Sequence, residues 1–450
     1  MSGITLNLLG ATFGTPPVGY LAVIRNPDGT NVTPANVIFN SSHVYLGVQT
    51  TSPFPDSFSK ATVLKLTPEG SIVWQTGLTD VLDYYIIGAI TSDASGNIIL
   101  AGAKLDSALN NNVFGAAVKF DSSGVLQWKA RIETVRTQFY SVACDSSNNI
   151  YCGGYIQVIS GRTDSYITKF DSSGTLLFAR QIGDPTSGSE ELTTQIATDG
   201  THIYTIGSVN NGNPDAGNER LLCSTGLTAN GVYFRDGANA FRQDGSAICT
   251  DGTGISYVAV RSYATISSGS RQVPMIGKVN YATETLTWRY SISFPSISTD
   301  IVGMCLNAAG NSLYVCGTVY GAPTQMVILK INTSNGILVW GRTLSSTTAN
   351  ITGTGITIDA SENIYLLGAS QVSGGPQKTL VLKMPGDGTG VGSVTVDGAT
   401  YSYAVSTGTY SSFFLQILGG NQVNYPLSHT TSNPSGVNSA TSCVLALGEL

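Results

Sequence analysis

The sequence predicts an all-β fold: a seven-bladed β-propeller of four-stranded antiparallel blades, with an N-terminal closing segment and an extended C-terminal arm. Three observations predict it. A ten-residue phrase is written twice, "KFDSSGVLQW" at Lys119–Trp128 and "KFDSSGTLLF" at Lys169–Phe178. A second phrase, a turn between two apolar runs, is headed by Asn40, Asp93, Asp145, Asp199, Asp251, Asn307 and Asp359, at steps of 52–56 residues. The composition is the third. Only 11% of residues are charged, against about 25% in ordinary globular chains. The outer faces of amphipathic helices need charge; strands and tight turns do not.

At 450 residues the chain exceeds what one ordinary core supports, so it is either several domains or one repeat array. Self-similarity at a fixed period selects the array. Each unit reads strand, turn, strand, longer loop, strand, turn, strand. The second unit shows it: "IIGAITS", "DASGN", "NIILAGAKL", then "FGAAVKF", "DSSG" and "VLQWKARI". Asp at the head of a turn accepts bonds from nearby backbone N–H groups, and Gly or Asn takes the left-handed position of a short hairpin. Four short antiparallel strands, repeated radially, make a propeller blade.

All four Trp residues, Trp74, Trp128, Trp288 and Trp340, fall at one repeat position, with Phe178 replacing Trp in another copy. Their simplest role is packing between neighbouring blades. The small Gly after the second strand of most units is expected to leave room where blades crowd. The fourth unit, "LLCSTGLTANGVYFRDG", holds its place without the Lys–Trp phrase, and the seventh lacks an outer Trp strand. "GYLAVIRNPDGT" (Gly19–Thr30) is a stray copy of "AAVKFDSSG" and suits the vacant position, removing an exposed edge. The organisation is therefore residues 1–35 as a closing segment, 36–393 as the propeller, and 394–450 as an arm for docking or assembly. Within that arm Phe413, Phe414, Leu415, Ile417 and Leu418 form an apolar stretch that must be covered, most simply by a neighbouring subunit.

Composition also excludes partners. A formal net charge of −6, with 22 scattered Lys and Arg, offers no basic stripe for nucleic acid. No run approaches the ~18 apolar residues of a membrane span. The first basic residue is Arg25, so the start lacks the basic segment of a signal peptide and points to manufacture in the cytoplasm. The seven cysteines are expected as free thiols, the alternative being a bridge across the hairpins at Cys144/Cys152 or Cys305/Cys316. Three histidines in turns and tail make no catalytic or metal set, and single-Asp turns do not make calcium loops. No cofactor, no metal and no catalytic residue is expected. One place remains for a ligand: the loops leading into the innermost strands carry Asp83, Arg136, Glu191, Arg242, Asp300 and Asn350, a mixed polar rim suited to hydrogen-bonding sugars.

Repeats with a strand ending in Trp resemble the quinone-cofactor propellers of bacterial dehydrogenases and the propeller-repeat proteins of bacteria. The dehydrogenases share a vicinal cysteine pair, and no two cysteines are adjacent here. The stretch "KMPGDGTGVG" (Lys383–Gly392) followed by "YSYA" (Tyr401–Ala404) resembles the C-terminal part of virion proteins from marine tailed bacteriophages. There a K-x-P-x-D-G-[ST] phrase closes a propeller-repeat region. The resemblance implies a non-enzymatic structural component of a virion, in its tail, fibre, nozzle or surface. It further implies assembly in the host cytoplasm, other virion proteins as partners in multiple symmetric copies, and contact with host-surface glycans. The alternatives are a carbohydrate-binding bacterial propeller and a polysaccharide-degrading or quinone-dependent propeller enzyme.

Overall fold

In the computed structural model the chain is all-β, a seven-bladed propeller of antiparallel four-stranded blades. The structure describes residues 7–13, 19–51, 59–78, 83–106, 112–132, 136–159, 162–183, 190–210, 214–226, 228–234, 243–266, 269–283, 285–291 and 297–406. Blades 1 to 6 run Val32–Gly77, Asp83–Arg131, Thr137–Ile182, Glu190–Phe234, Gln243–Ser291 and Thr299–Ser346, each in chain order from innermost to outermost strand. Blade 7 takes three strands from Ala349–Met384 and a fourth from the N-terminus, Gly19–Arg25, which pairs antiparallel with Lys378–Met384. The strands gather into two compact units, Met1–Ile90 with Ser293–Tyr410, and a second built on Thr91–Ile292; the innermost strand of blade 2 spans their boundary.

Every turn-heading residue of the sequence pattern stands between the innermost and second strands of its blade. Asp145 shows why Asp suits it. One carboxylate oxygen accepts the backbone N–H groups of Ser147 and Asn149, both at 2.9 Å, and the other accepts Asn149 Nδ2 at 2.8 Å. Asp93 and Asp359 are bonded the same way. The turn is thus closed by its own side chain.

A β-bulge recurs five residues before the marker. Ala35, Tyr140, Thr194, Ser246, Val302 and Thr354 are the extra residues in blades 1 and 3 to 7. The bulge adds a second demand on the repeated glycine. A side chain at Gly154, Gly207, Gly317 or Gly368 would strike the backbone carbonyl of Gln138, Leu192, Asp300 or Thr352, on the innermost strand of the same blade. Crowding within the blade demands the missing side chain, and at Gly368 the Met326 methyl of blade 6 adds crowding between blades.

The blades of each unit bury both faces, so their middle strands read as continuous apolar runs. Leu313, Tyr314, Val315 and Cys316 are all fully buried. Each such aliphatic side chain contributes roughly 1.5–3 kcal/mol. In the first unit one core joins Tyr314, Met326, Ile328 and Ile356 to Leu366 and Leu380, and another joins Ile24 and Val381 to Val37 and Leu46. In the second, Tyr151 and Ile167 pack on Ile196 and Ile203, and Ile206 on Val258.

In blades 2, 3 and 6 the aromatic of the repeated phrase sits on a glycine of the next blade's outer turn. A methyl group on Gly174 (φ 87°) would lie 2.8 Å from the Trp128 ring, and one on Gly388 (φ 72°) 2.9 Å from Trp340. Tyr20, on the N-terminal strand of blade 7, takes the same seat against Gly70 of blade 1, again 2.8 Å from a methyl there. Trp288 is buried, and Trp74, Trp128 and Trp340 are half-buried.

Residues 392–405, whose alternation reads as the start of an arm, pack as a hairpin. Gly392–Val396 and Ala399–Val405 pair with each other, and the second pairs with the outermost strand of blade 6, Leu338–Ser346. Alternation here reports one buried face: Tyr401 and Tyr403 lie in the blade 6–7 core. At the hairpin tip Asp397 meets Lys378 at 2.7 Å and Arg25 at 3.4 Å, tying the hairpin to blade 7. Phe413, Phe414, Leu415, Ile417 and Leu418 lie outside the described residues.

Candidate functional site

The six rim residues do not form one layer. Asp83 stands ten residues before its marker, Arg136, Arg242 and Asn350 nine, Glu191 eight and Asp300 seven. Glu191 and Asp300 are buried, 4% and 3% exposed, whereas Arg136 and Asn350 are exposed. Asn350 is engaged locally, its Oδ1 accepting the Thr324 N–H at 3.0 Å. Asp83 opens the innermost strand of blade 2, and Arg242 lies outside the described residues.

Arg136 has companions that the count missed. Its carbonyl accepts the Gln157 N–H at 2.8 Å, fixing it beside the innermost strand of blade 3, Thr137–Cys144. Tyr140, the bulge residue, faces Tyr155 with ring centroids 5.8 Å apart and planes at 42°. Tyr155 is paired across the strands with Gln138, and its hydroxyl donates to Gln138 Oε1 at 3.5 Å. Gln138, Tyr140, Tyr155 and Gln157 are all half-buried. Burial and the Tyr155 phenol push the Tyr140 hydroxyl up, and the Arg136 guanidinium partly opposes them. A neutral Tyr140 hydroxyl can donate a hydrogen bond. The signal was present in the sequence: the bulge residues of the other described blades are Ala35, Thr194, Ser246, Val302 and Thr354, and among these blades only blade 3 places an aromatic there.

At the marker ends of the blades the charged groups serve the fold. In blade 3 the Tyr151 hydroxyl donates to Asp145 at 2.8 Å, with Lys169 Nζ 5.3 Å from the Tyr151 ring centroid. Tyr204 with Asp199, at 2.5 Å, and Tyr365 with Asp359, at 3.1 Å, repeat the pair. In blade 6 the marker is Asn307, and Glu362 of blade 7 supplies the carboxylate instead. It accepts Asn307 Nδ2 at 2.8 Å, Lys330 Nζ at 3.1 Å and the Tyr314 hydroxyl. Those bonds from Asn307, Tyr314 and Lys330 hold Glu362 down at about 2. The phrase "KMPGDGTGVG" belongs to this machinery as the outer turn of blade 7: Gly386 O accepts Trp340 Nε1 at 3.2 Å and Lys330 Nζ at 3.3 Å.

Among the described residues no group of three or more His, Cys, Asp or Glu side chains could hold a metal ion. Among the described residues Cys144, Cys152, Cys223, Cys249, Cys305 and Cys316 form no disulfide. Cys152 lies opposite Val142, and Cys316 opposite Gly303, so neither hairpin sets its two thiols face to face. Burial pushes the Cys152 and Cys305 thiols up to about 12, which keeps them protonated. No helix of the described residues is long and apolar enough to cross a membrane.

No protein-family model matches the sequence, and comparison with curated proteins finds no relative. Solved structures match in fold. A polysaccharide lyase of family PL25, an ulvan lyase, superposes with a TM-score of 0.51 at 11% identity, covering 78% of this chain and 94% of its own. The quinohemoprotein alcohol dehydrogenase from Comamonas testosteroni gives 0.46 at 12%, covering 87% and 75%. The endosialidase of phage phi92 gives 0.41 at 10%, covering 85% and 69%. The likeness to the lyase supports the propeller fold and nothing narrower.

Proposed function

We propose that the chain is a non-catalytic structural propeller of a tailed-phage particle, assembled with other virion proteins in the host cytoplasm, and that it contacts carbohydrate on the host surface through blade 3. The observation that carries the carbohydrate half is the Arg136–Gln138–Tyr140–Tyr155 cluster. It pairs hydrogen-bonding groups with phenol rings, the combination that grips a sugar's hydroxyls and its apolar face, at the one bulge where the repeat gives way to an aromatic. The structural half is supported by the employment of the repeat's Lys, Tyr, Trp and Asp residues in turns and inter-blade contacts, and by the phage-like phrase at Lys383–Gly392. A sugar-cleaving reading needs a base, and Tyr140, pushed up by burial and Tyr155, is a poor one at neutral pH. Two experiments test the two halves. A glycan array with the purified protein should give hits that Tyr140→Ala abolishes. Mass spectrometry of purified phage particles carrying the gene should find the chain in stoichiometric amount. Hits unaffected by the substitution, or absence from particles, would each remove its half.

A further inference from the structure

Resting on that reading of blade 3, we infer that the ligand is an acidic oligosaccharide, its carboxylate held by Arg136 beside the Tyr140 and Tyr155 rings. Arg136 is exposed, and among the described residues no carboxylate is paired with its guanidinium. A guanidinium presents a planar fork of donors matched to a carboxylate, and it is the residue best suited to bidentate recognition of one. Its backbone is not free to wander, because its carbonyl is tied to the Gln157 N–H at 2.8 Å. The fork is therefore presented from a fixed point at the end of a strand.

The neighbours extend the match. The Tyr155 hydroxyl donates to Gln138 Oε1, a bond that does not use the Gln138 amide N–H groups. Tyr140 is an inserted bulge residue, and bulges re-aim a side chain out of the strand's alternation. Its ring lies against Tyr155 at 5.8 Å, and its hydroxyl remains protonated. Guanidinium, amide and phenol are thus predominantly donors. A uronic acid, rich in acceptors on its carboxylate and apolar on its ring face, answers them better than a neutral hexose does.

Calorimetric titration of the full chain with an oligogalacturonate hexamer, maltohexaose and a sulfated hexasaccharide tests the inference. The uronate should bind at least tenfold more tightly than the neutral sugar, and the difference should shrink between 20 and 200 mM NaCl. Arg136→Ala should remove that preference, Arg136→Lys should restore only part of it, and Tyr140→Phe should weaken binding several-fold. Unaltered circular dichroism and melting would show that these exposed and half-exposed changes leave the fold intact. Equal binding of uronate and maltohexaose, or indifference to Arg136→Ala, overturns the acidic class while leaving the carbohydrate reading standing. Preference for the sulfated sugar overturns the carboxylate assignment. Failure of all three sugars, with an empty glycan array, removes both.

Discussion

Blades 2 and 3 carry the same phrase, "KFDSSG", yet their lysines have different partners. Lys119 forms an ion pair with Asp93 at 2.8 Å, both side chains withdrawn from water. Lys169 instead lies over the Tyr151 ring, while the Tyr151 hydroxyl satisfies Asp145. The cause is one residue on the second strand. Tyr151 stands opposite Lys169, and Ile99 stands opposite Lys119. With no phenol to reach the marker carboxylate, the ammonium must go there itself. Both lysines also donate to the next blade's outer turn, at Ser172 O and Cys223 O, each 3.0 Å. Identical words thus perform one shared task and one that the facing strand dictates. The constant is the demand of a buried carboxylate for a donor.

The largest expected effect breaks blade 2. Lys119→Ala would leave the buried Asp93 without its counter-charge, at a cost of about 3–5 kcal/mol. Lys169→Ala removes a cation over a ring and one carbonyl bond, while Tyr151 still serves Asp145, so it should cost only about 1–2 kcal/mol. Urea unfolding of the two single variants measures the gap. Equal losses would show that Asp93 does not depend on Lys119. Adding Ile99→Tyr to Lys119→Ala supplies the phenol of blade 3 and should recover part of the loss.

Blade 6 extends the comparison across blades. There the marker is neutral Asn307, and the carboxylate comes from Glu362, held at φ 61°, a conformation uncommon for any residue but glycine. Asn307→Asp would set a second carboxylate beside Glu362 and destabilise by about 1–3 kcal/mol. Pairing it with Glu362→Gly should recover most of that, because the Tyr314 hydroxyl then finds a marker carboxylate as Tyr151 does. If the double variant is no more stable than Asn307→Asp alone, Glu362 is not a replacement for the missing Asp.

The same residue makes a pH prediction. The Asn307, Tyr314 and Lys330 bonds lower the folded value of Glu362 to about 2, below its ordinary 4.5. Its contribution is then fully present above pH ~4.5 and is lost as pH falls toward about 2. Glu362→Gln should make melting temperature less steep over that window and lower it at neutral pH by a modest amount, since the side chain is 37% exposed and water screens the pair. Identical acid limbs for the two proteins would defeat the assignment.

Much of the architecture was legible because the period is carried by residues with a fixed steric task. Asp and Asn close inner turns, left-handed Gly closes outer ones, and the aromatic packs on that Gly. The N-terminal strand was legible as a blade strand, although it copies a third strand and sits as the fourth of blade 7. Residues 392–405 were misleading, because alternation marks a half-buried strand without saying what covers it; Tyr401 and Tyr403 are covered by blades 6 and 7. The site was the least legible part. Counting back about ten residues from each marker does not report burial, and it gathered buried Glu191 and Asp300 with exposed Arg136. Tyr140, nearer the marker, went unremarked because a bulge is a property of backbone pairing. Only a column-by-column reading of the repeats exposes its aromatic side chain.

The smallest prediction edits the last letter of the phrase. Trp128→Phe turns the end of blade 2's copy into blade 3's. The ring still covers Gly174, as Phe178 covers Gly226, so packing against the glycine survives. What disappears is the indole bond from Trp128 Nε1 to Ser172 O at 3.1 Å, together with part of the buried ring area. Ser172 O keeps its bond from Lys119, so no acceptor is orphaned, and the penalty falls at the low end of the usual range for a hydrogen bond, about 0.5–1 kcal/mol. In a Lys119→Ala background the same change strips that carbonyl of both donors and should cost more than it does alone. A double-mutant cycle on these two positions, read by denaturant midpoint, measures the coupling. Strict additivity would mean that the indole and the ammonium do not share Ser172, and that the phrase repeats for packing alone.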